Sequence, residues 1–148
     1  KAAGLHCPRD NYLVRFGHHY CLEFEKRAQN FSLEGQQTLG KIRSCLIGAL
    51  REAELAGKNN QGVGLTCENS KAIGMASHVP CYVENGFCEM RFGDKLRIYN
   101  TVVREMGDSD FRQVRREIQR QCNQRNPVTA HEPYQFGDFE EALESGVN

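Results

Sequence analysis

Seven cysteines are the feature that most constrains how this chain of 148 residues can fold. No two of them form a Cys-x-x-Cys pair, and the closest two, Cys81 and Cys88, are too far apart for a zinc knuckle. The rest are scattered along the chain, at Cys7, Cys21, Cys45, Cys67 and Cys122. Scattered cysteines without metal-ligand spacing indicate disulfides and an oxidising compartment. The alternative, free buried cysteines in an intracellular protein, fits this pattern less well.

Four other features bear on where the protein resides. Asn30-Phe31-Ser32 is an N-glycosylation sequon, which agrees with secretion. No apolar run is long enough to span a bilayer, and a net charge of zero predicts no general attraction to nucleic acid or anionic membranes. The sequence starts at Lys1, so we expect a mature product from which a signal peptide has been removed. These features predict a secreted, extracellular glycoprotein without membrane insertion.

The apolar residues predict an all-α fold, a disulfide-stapled bundle of four to five helices within residues 1–125. Asp10 or Asn11 is expected to cap the first helix, and Ser32 the second, whose apolar positions recur at steps of three and four up to Gly57. We expect three further helices, over residues 68–78, 94–106 and 109–125. Val79-Pro80 is expected to break the first of these, which leaves residues 81–88 as a connector.

Residues 126–148 differ from the rest of the chain. They contain two prolines, little apolar periodicity and five acidic residues, namely Glu132, Asp138, Glu140, Glu141 and Glu144. A segment of this composition buries little apolar surface, so we expect an acidic, loosely ordered tail.

An odd number of cysteines leaves one thiol without a partner inside the chain. In a secreted protein this indicates a disulfide-linked homodimer, a mixed disulfide or a reactive thiol. A buried free cysteine is the simpler alternative.

Two groups of side chains suggest binding sites. His18 and His19 lie beside Cys21, and His18 could share a helix face with Cys21 as a metal or ligand site, although surface histidines explain them more simply. The last helix is rich in arginine and could bind sulfated glycans or an acidic partner. A solvated helix face, with its positive charge neutralised by the acidic tail, is the better explanation of these arginines. Its arginines are Arg112, Arg115, Arg116, Arg120 and Arg125.

Catalytic motifs are not found in the sequence. It has no Gly-x-Ser-x-Gly, no phosphate-binding glycine loop and no His-Glu-x-x-His, and its helix acids Glu34, Asp94 and Glu105 form no recognisable pair with a nucleophile. We therefore expect a protein that is not an enzyme and needs no cofactor.

The separations between cysteines match a known pattern. Cys21, Phe31, Gly35 and Cys45 form one block, which ends in Lys41-Ile42-Arg43-Ser44-Cys45-Leu46. Cys67, Cys81-Tyr82 and Cys88 form a second block, and Cys122 follows in the last helix. Over residues 21–122 this spacing resembles that of the stanniocalcins, which are secreted glycoprotein hormones.

The resemblance implies a disulfide pairing. The pairs carried over are Cys45–Cys81 and Cys88–Cys122, together with Cys67 joined to Cys7, which leaves Cys21 free or available to a second chain. Alternatively, Cys7 pairs with Cys21 and Cys67 is free. The family's cysteine cluster before Cys21 is reduced here to Cys7, and its C-terminal dimerisation cysteine is absent.

The resemblance also implies a function. It indicates a non-enzymatic, hormone-like extracellular protein of a family that regulates calcium and phosphate, acting on a cell-surface or extracellular protein partner. The alternative is a secreted small-ligand carrier or toxin-like effector that binds a ligand between helices, and an unusual secreted enzyme is a third, weaker option.

Overall fold

The computed structural model describes residues 6–125, and these residues form α-helices and short helical turns without a β-strand. The five α-helices are α1 (His19–Lys26), α2 (Leu33–Lys58), α3 (Ser70–Glu84), α4 (Phe92–Val102) and α5 (Ser109–Arg125). A π-helical stretch, Leu13–His18, precedes α1, and short 3-10 turns occupy Ala28–Asn30 and Val103–Gly107. The all-α prediction is therefore confirmed. The acidic tail predicted for residues 126–148 lies outside the described residues.

Two of the predicted helix starts have side-chain caps. The Asn11 side chain accepts a hydrogen bond from the backbone N–H of Leu13, at 3.0 Å. The Ser32 hydroxyl accepts one from the N–H of Gly35, at 3.0 Å, and so caps α2. Both side chains satisfy an amide that has no partner within its own helix.

Helix α3 corrects the prediction that Val79-Pro80 ends a helix. It continues through Pro80 to Glu84, so the first half of the expected connector is helical. Proline inside a helix removes one backbone hydrogen bond and costs about 3 kcal/mol. Two buried residues that follow Pro80 offset this cost, namely Cys81, which is bonded to Cys45 of α2, and Val83.

The core lies where α3 meets its neighbours. Helix α2 packs against one side of α3, and α5 packs against another. The buried cluster includes Ile42, Val83, Ile98 and Ile118, one residue from each of the four longer helices. Because α3 lies between α2 and α5, surfaces on those two helices belong to different sides of the bundle.

Candidate functional site

Three disulfides link the helices to one another and to the N-terminal segment. Cys45 of α2 is bonded to Cys81 of α3, and Cys88, which follows α3, is bonded to Cys122 of α5. Cys7 is bonded to Cys67 in the loop before α3. These are the pairs that the resemblance implies, rather than the alternative that joins Cys7 to Cys21. Such a set of disulfides is typical of proteins from an oxidising compartment.

Cys21 is the cysteine that keeps its thiol. It lies half-buried on α1, next to the buried Tyr20. Burial raises the pKa of Tyr82, and electrostatic interactions with Tyr99 and Cys21 add to this effect. Cys21 itself is neither fully buried nor fully exposed.

The two neighbouring histidines do not gather a metal site around them. His18 and His19 are both exposed, and the His19 ring meets the ring of Tyr20 edge-on at 4.9 Å. Within residues 6–125, no three His, Cys, Asp or Glu side chains come close enough together to hold a metal ion. The structure therefore gives His18 and Cys21 no third ligand among the described residues.

Asn30 is exposed at the end of the short turn before α2. The next residue, Phe31, is buried, and Ser32 caps α2. The neighbours of Asn30 are thus held in place while its own side chain points away from the core, which leaves space for a glycan.

Asp94 is a buried carboxylate that the sequence gives no reason to single out. It is 2 % exposed and accepts hydrogen bonds from the Ser32 hydroxyl at 2.5 Å and the Ser32 N–H at 3.1 Å. Arg97 adds a contact at 3.3 Å. Burial favours the neutral acid, but the hydrogen bonds from Ser32 and the nearby arginines outweigh it, so the pKa of Asp94 lies below its ordinary value. Asp94 therefore fixes the start of α2 against α4.

Gly35 is where α2 and Asp94 meet. A Cβ atom at this position would lie 2.5 Å from an oxygen of Asp94. Residue 35 is the third residue of α2, where a capping box normally has Glu or Gln. A glycine there is the one sign in the sequence that another group packs closely against this turn.

A polar groove opens beside this cluster, with a volume of about 580 Å³. Glu34 and Arg91 form an ion pair across it at 2.9 Å, and both side chains are about 70 % exposed, so the pair contributes little to stability. The other charged groups of the groove are Lys41, Glu84 and Glu89. The Ser32 hydroxyl, which also lines the groove, donates to Asp94 and accepts from the N–H of Gly35, so it holds the start of α2 in place. The groove offers a polar surface for contact.

A second cavity lies between the helices but is small. Its volume is about 60 Å³, and aromatic residues dominate its lining, among them Phe16, Tyr82 and Phe111. Pockets for small ligands usually measure about 300–1,000 Å³. This cavity therefore fits part of a side chain rather than a whole ligand.

His78 lies on α3 beside this cavity. Its Nδ1 donates to the carbonyl oxygen of Gly74 at 2.6 Å, and its ring stacks on Tyr82 at 5.9 Å. Burial lowers the pKa of His78, and the bond to Gly74 opposes this only in part. The imidazole is consequently held in its neutral form.

We expect the stability of the protein to fall as the pH drops below about 6.5, the ordinary pKa of histidine. Because the folded-state pKa of His78 is lowered, the unfolded chain binds more protons in this range, and acid favours unfolding. Thermal unfolding of the protein and of His78→Phe, followed from pH 7.5 to pH 5, should show a smaller loss in the variant. Equal losses of stability in the parent and in His78→Phe would show that other groups cause the pH dependence.

The arginines of α5 do not all face solvent. The Arg115 guanidinium lies over the Tyr99 ring at 5.9 Å, and Arg125 donates to the carbonyl oxygen of Val83 at 2.9 Å. Arg120 is paired with Glu117 through two contacts, at 2.8 and 2.5 Å. The remaining two arginines of the helix, Arg112 and Arg116, are exposed.

Comparison with protein-family models, with curated proteins and with solved structures gives no match to this chain in any of the three. None of the helices within residues 6–125 is long and apolar enough to cross a membrane. The disulfides, the sequon at Asn30 and the polar groove beside Asp94 are therefore the features of this chain that bear on its function.

Proposed function

We propose that the protein is a secreted, non-enzymatic glycoprotein that resembles stanniocalcin and acts outside the cell by binding another protein. The disulfide framework carries this proposal. Three bonds join the N-terminal segment, α2, α3 and α5 in the pairing that the resemblance implies, and Cys21 is left over. A role in calcium and phosphate regulation comes from the resemblance alone.

Two surfaces support a binding role. Asn30 is exposed and has space for a glycan, as expected for a glycoprotein that passes through the secretory pathway. The polar groove beside Ser32 and Asp94 is about 580 Å³ in volume and open to solvent, which suits contact with a protein surface. The alternative of a small-ligand carrier gains no support from the cavity of about 60 Å³ between the helices.

The mass of the intact protein, secreted from animal cells, tests the framework. We expect reduction to add six hydrogens, two for each disulfide, and one thiol to react with an alkylating reagent before reduction. Enzymatic removal of N-glycans should lower the mass of the protein but not that of Asn30→Gln. Seven thiols that react without reduction would contradict the proposal.

The same sample tests the homodimer and the binding role. A covalent dimer that reductant converts to monomer, and that Cys21→Ser abolishes, would assign the thiol to an intermolecular bond. Saturable binding of the labelled protein to cells, displaced by excess unlabelled protein, is the expected functional result. A small molecule that stays with the purified protein would instead favour the carrier.

A further inference from the structure

Charge is divided unevenly along this electrically neutral chain. All nineteen lysines and arginines precede residue 126, together with fourteen of the nineteen acidic residues. The other five acids lie in residues 132–144, where there is no lysine or arginine. The helical domain therefore carries five excess positive charges, and the tail carries five negative ones.

Much of the positive charge is concentrated on one face of α5. Arg112, Arg116 and Arg120 are four residues apart and exposed, so they form a row along the helix. Arg112 donates to the carbonyl oxygens of Met106 and Gly107, and Nε of Arg116 donates to the carbonyl oxygen of Arg112. Neither guanidinium pairs with a carboxylate from residues 6–125. Arg120 is paired with Glu117, so Arg112 and Arg116 are the members of the row whose charge no carboxylate of residues 6–125 neutralises.

The arginine row lies on the side of α5 that faces away from the core. Phe111, Val114 and Ile118 point toward the neighbouring helices, and at about 100° per residue they are offset from the row by about 100–180° around the helix axis. The row is therefore accessible to a negatively charged segment.

We propose that the acidic tail of this chain, residues 132–144, binds the arginine row of α5. The tail carries the opposite charge, since it contains five acids and no lysine or arginine. Its length is also sufficient. The helix from Arg125 back to Arg112 measures about 20 Å at 1.5 Å per residue. The thirteen residues from Arg125 to Asp138 can span about 40 Å when extended.

Tethering makes this contact effective although each ion pair is weak. A segment joined directly to α5 meets the row at an effective concentration in the millimolar range for a short flexible linker. A polyanion such as a sulfated glycan must displace the tail before it reaches the arginines. The tail thus acts as a built-in competitor that restricts this face to partners with a higher density of negative charge.

Carbodiimide cross-linking of the full chain tests the contact. The reagent activates a carboxylate, and a neighbouring amine then forms an amide and releases the reagent as its urea. Arginine does not react, so Arg116→Lys introduces an amine into the row. The matched control is Arg43→Lys, which also replaces an exposed arginine. Arg43 lies on α2, and α3 packs between α2 and α5. Lys71 lies 2.7 Å from Asp110 and provides an internal reference in both proteins.

We expect peptide mapping to find amides between the amine of Arg116→Lys and Asp138, Glu140 or Glu141. Because the tether raises the local concentration, the yield relative to the Lys71–Asp110 product should exceed that of Arg43→Lys roughly tenfold. Salt at about 1 M, where the screening length is about 3 Å, should remove most of this excess. Equal yields from the two variants would overturn the proposal.

Cross-links found only in covalent dimers would overturn it as well, because the occupant of the row would then be the tail of a second copy. The proposal does not depend on the protein's proposed hormone-like role. A failed cross-link would leave the disulfide and secretion tests unaffected. Failure of those tests would likewise leave the cross-linking result unaffected.

Discussion

Replacing Gly35 by alanine is expected to be among the most damaging single substitutions in this protein. The new methyl group would lie 2.5 Å from an oxygen of Asp94, and that carboxylate cannot move easily because it is buried and bonded to Ser32 at two points. Forcing an extra carbon into such a site typically costs about 1–3 kcal/mol. Disturbing the hydrogen bonds of a buried charge adds to this, so we expect a total loss of about 3 kcal/mol.

A matched control lies in the same helix. Gly40→Ala makes the same chemical change on α2, but no atom lies within 4 Å of the new Cβ. Alanine favours a helix over glycine by up to about 1 kcal/mol, so this variant should be slightly more stable than the parent. Thermal unfolding should show Gly35→Ala well below the parent and Gly40→Ala at or above it. If both variants shift in the same direction, close packing against Asp94 is not what requires glycine at position 35.

A double-mutant cycle separates the clash from other effects. Asp94→Ala is itself destabilising, because it leaves the N–H of Ser32 without its acceptor. In that background, Gly35→Ala no longer meets a carboxylate, and its cost should fall to nearly zero. The coupling between the two positions therefore measures how much of the loss comes from their contact.

Local patterns in the sequence predict much of this fold. The apolar repeat of α2 and its capping residue Ser32 depend on neighbours a few positions away, and the structure confirms both. The contact between Ser32 and Asp94 joins residues 62 positions apart, and the sequence contains no local signal for it. An acidic residue in the first turn of a helix is common on any surface helix, which is why Asp94 looks ordinary in the sequence.

The disulfides show a second limit of sequence reasoning. Counting cysteines predicts that bonds exist, but it does not determine which residues pair, because many pairings satisfy the same count. The pairing came from the resemblance to a family. Similarly, Pro80 predicts a break when only its own helix is considered, whereas the bond from the neighbouring Cys81 to α2 holds the helix together across the tertiary structure.

Removing the Cys45–Cys81 bond is the second change for which we expect a large effect. The cysteines are 36 residues apart, and closing a loop of this length is worth about 4 kcal/mol in the chain-entropy model. This is a large share of the total of about 5–15 kcal/mol typical of folded domains. Urea unfolding of Cys45→Ala/Cys81→Ala should therefore have a much lower midpoint than the parent.

The loss of stability should be greatest in one part of α3. Without the bond, the residues of α3 from Pro80 to Glu84 lose their covalent anchor to α2 while the cost of the proline remains. We expect hydrogen exchange to become faster in this part of α3 in particular. Cys7→Ala/Cys67→Ala opens a longer loop of 60 residues and so lowers global stability at least as much, but it leaves the anchor next to Pro80 in place.

Pro80→Ala in the Cys45→Ala/Cys81→Ala background tests the cause directly. Alanine restores the missing N–H donor and favours the helix, so the substitution should recover part of the lost stability, by about 1–3 kcal/mol. It should also restore the protection of residues 81–84 against hydrogen exchange. If Pro80→Ala recovers as much stability in the Cys7→Ala/Cys67→Ala background and fails to restore this protection, the Cys45–Cys81 bond acts on the unfolded chain alone. The continuation of α3 past Pro80 would then depend on the packing of Val83.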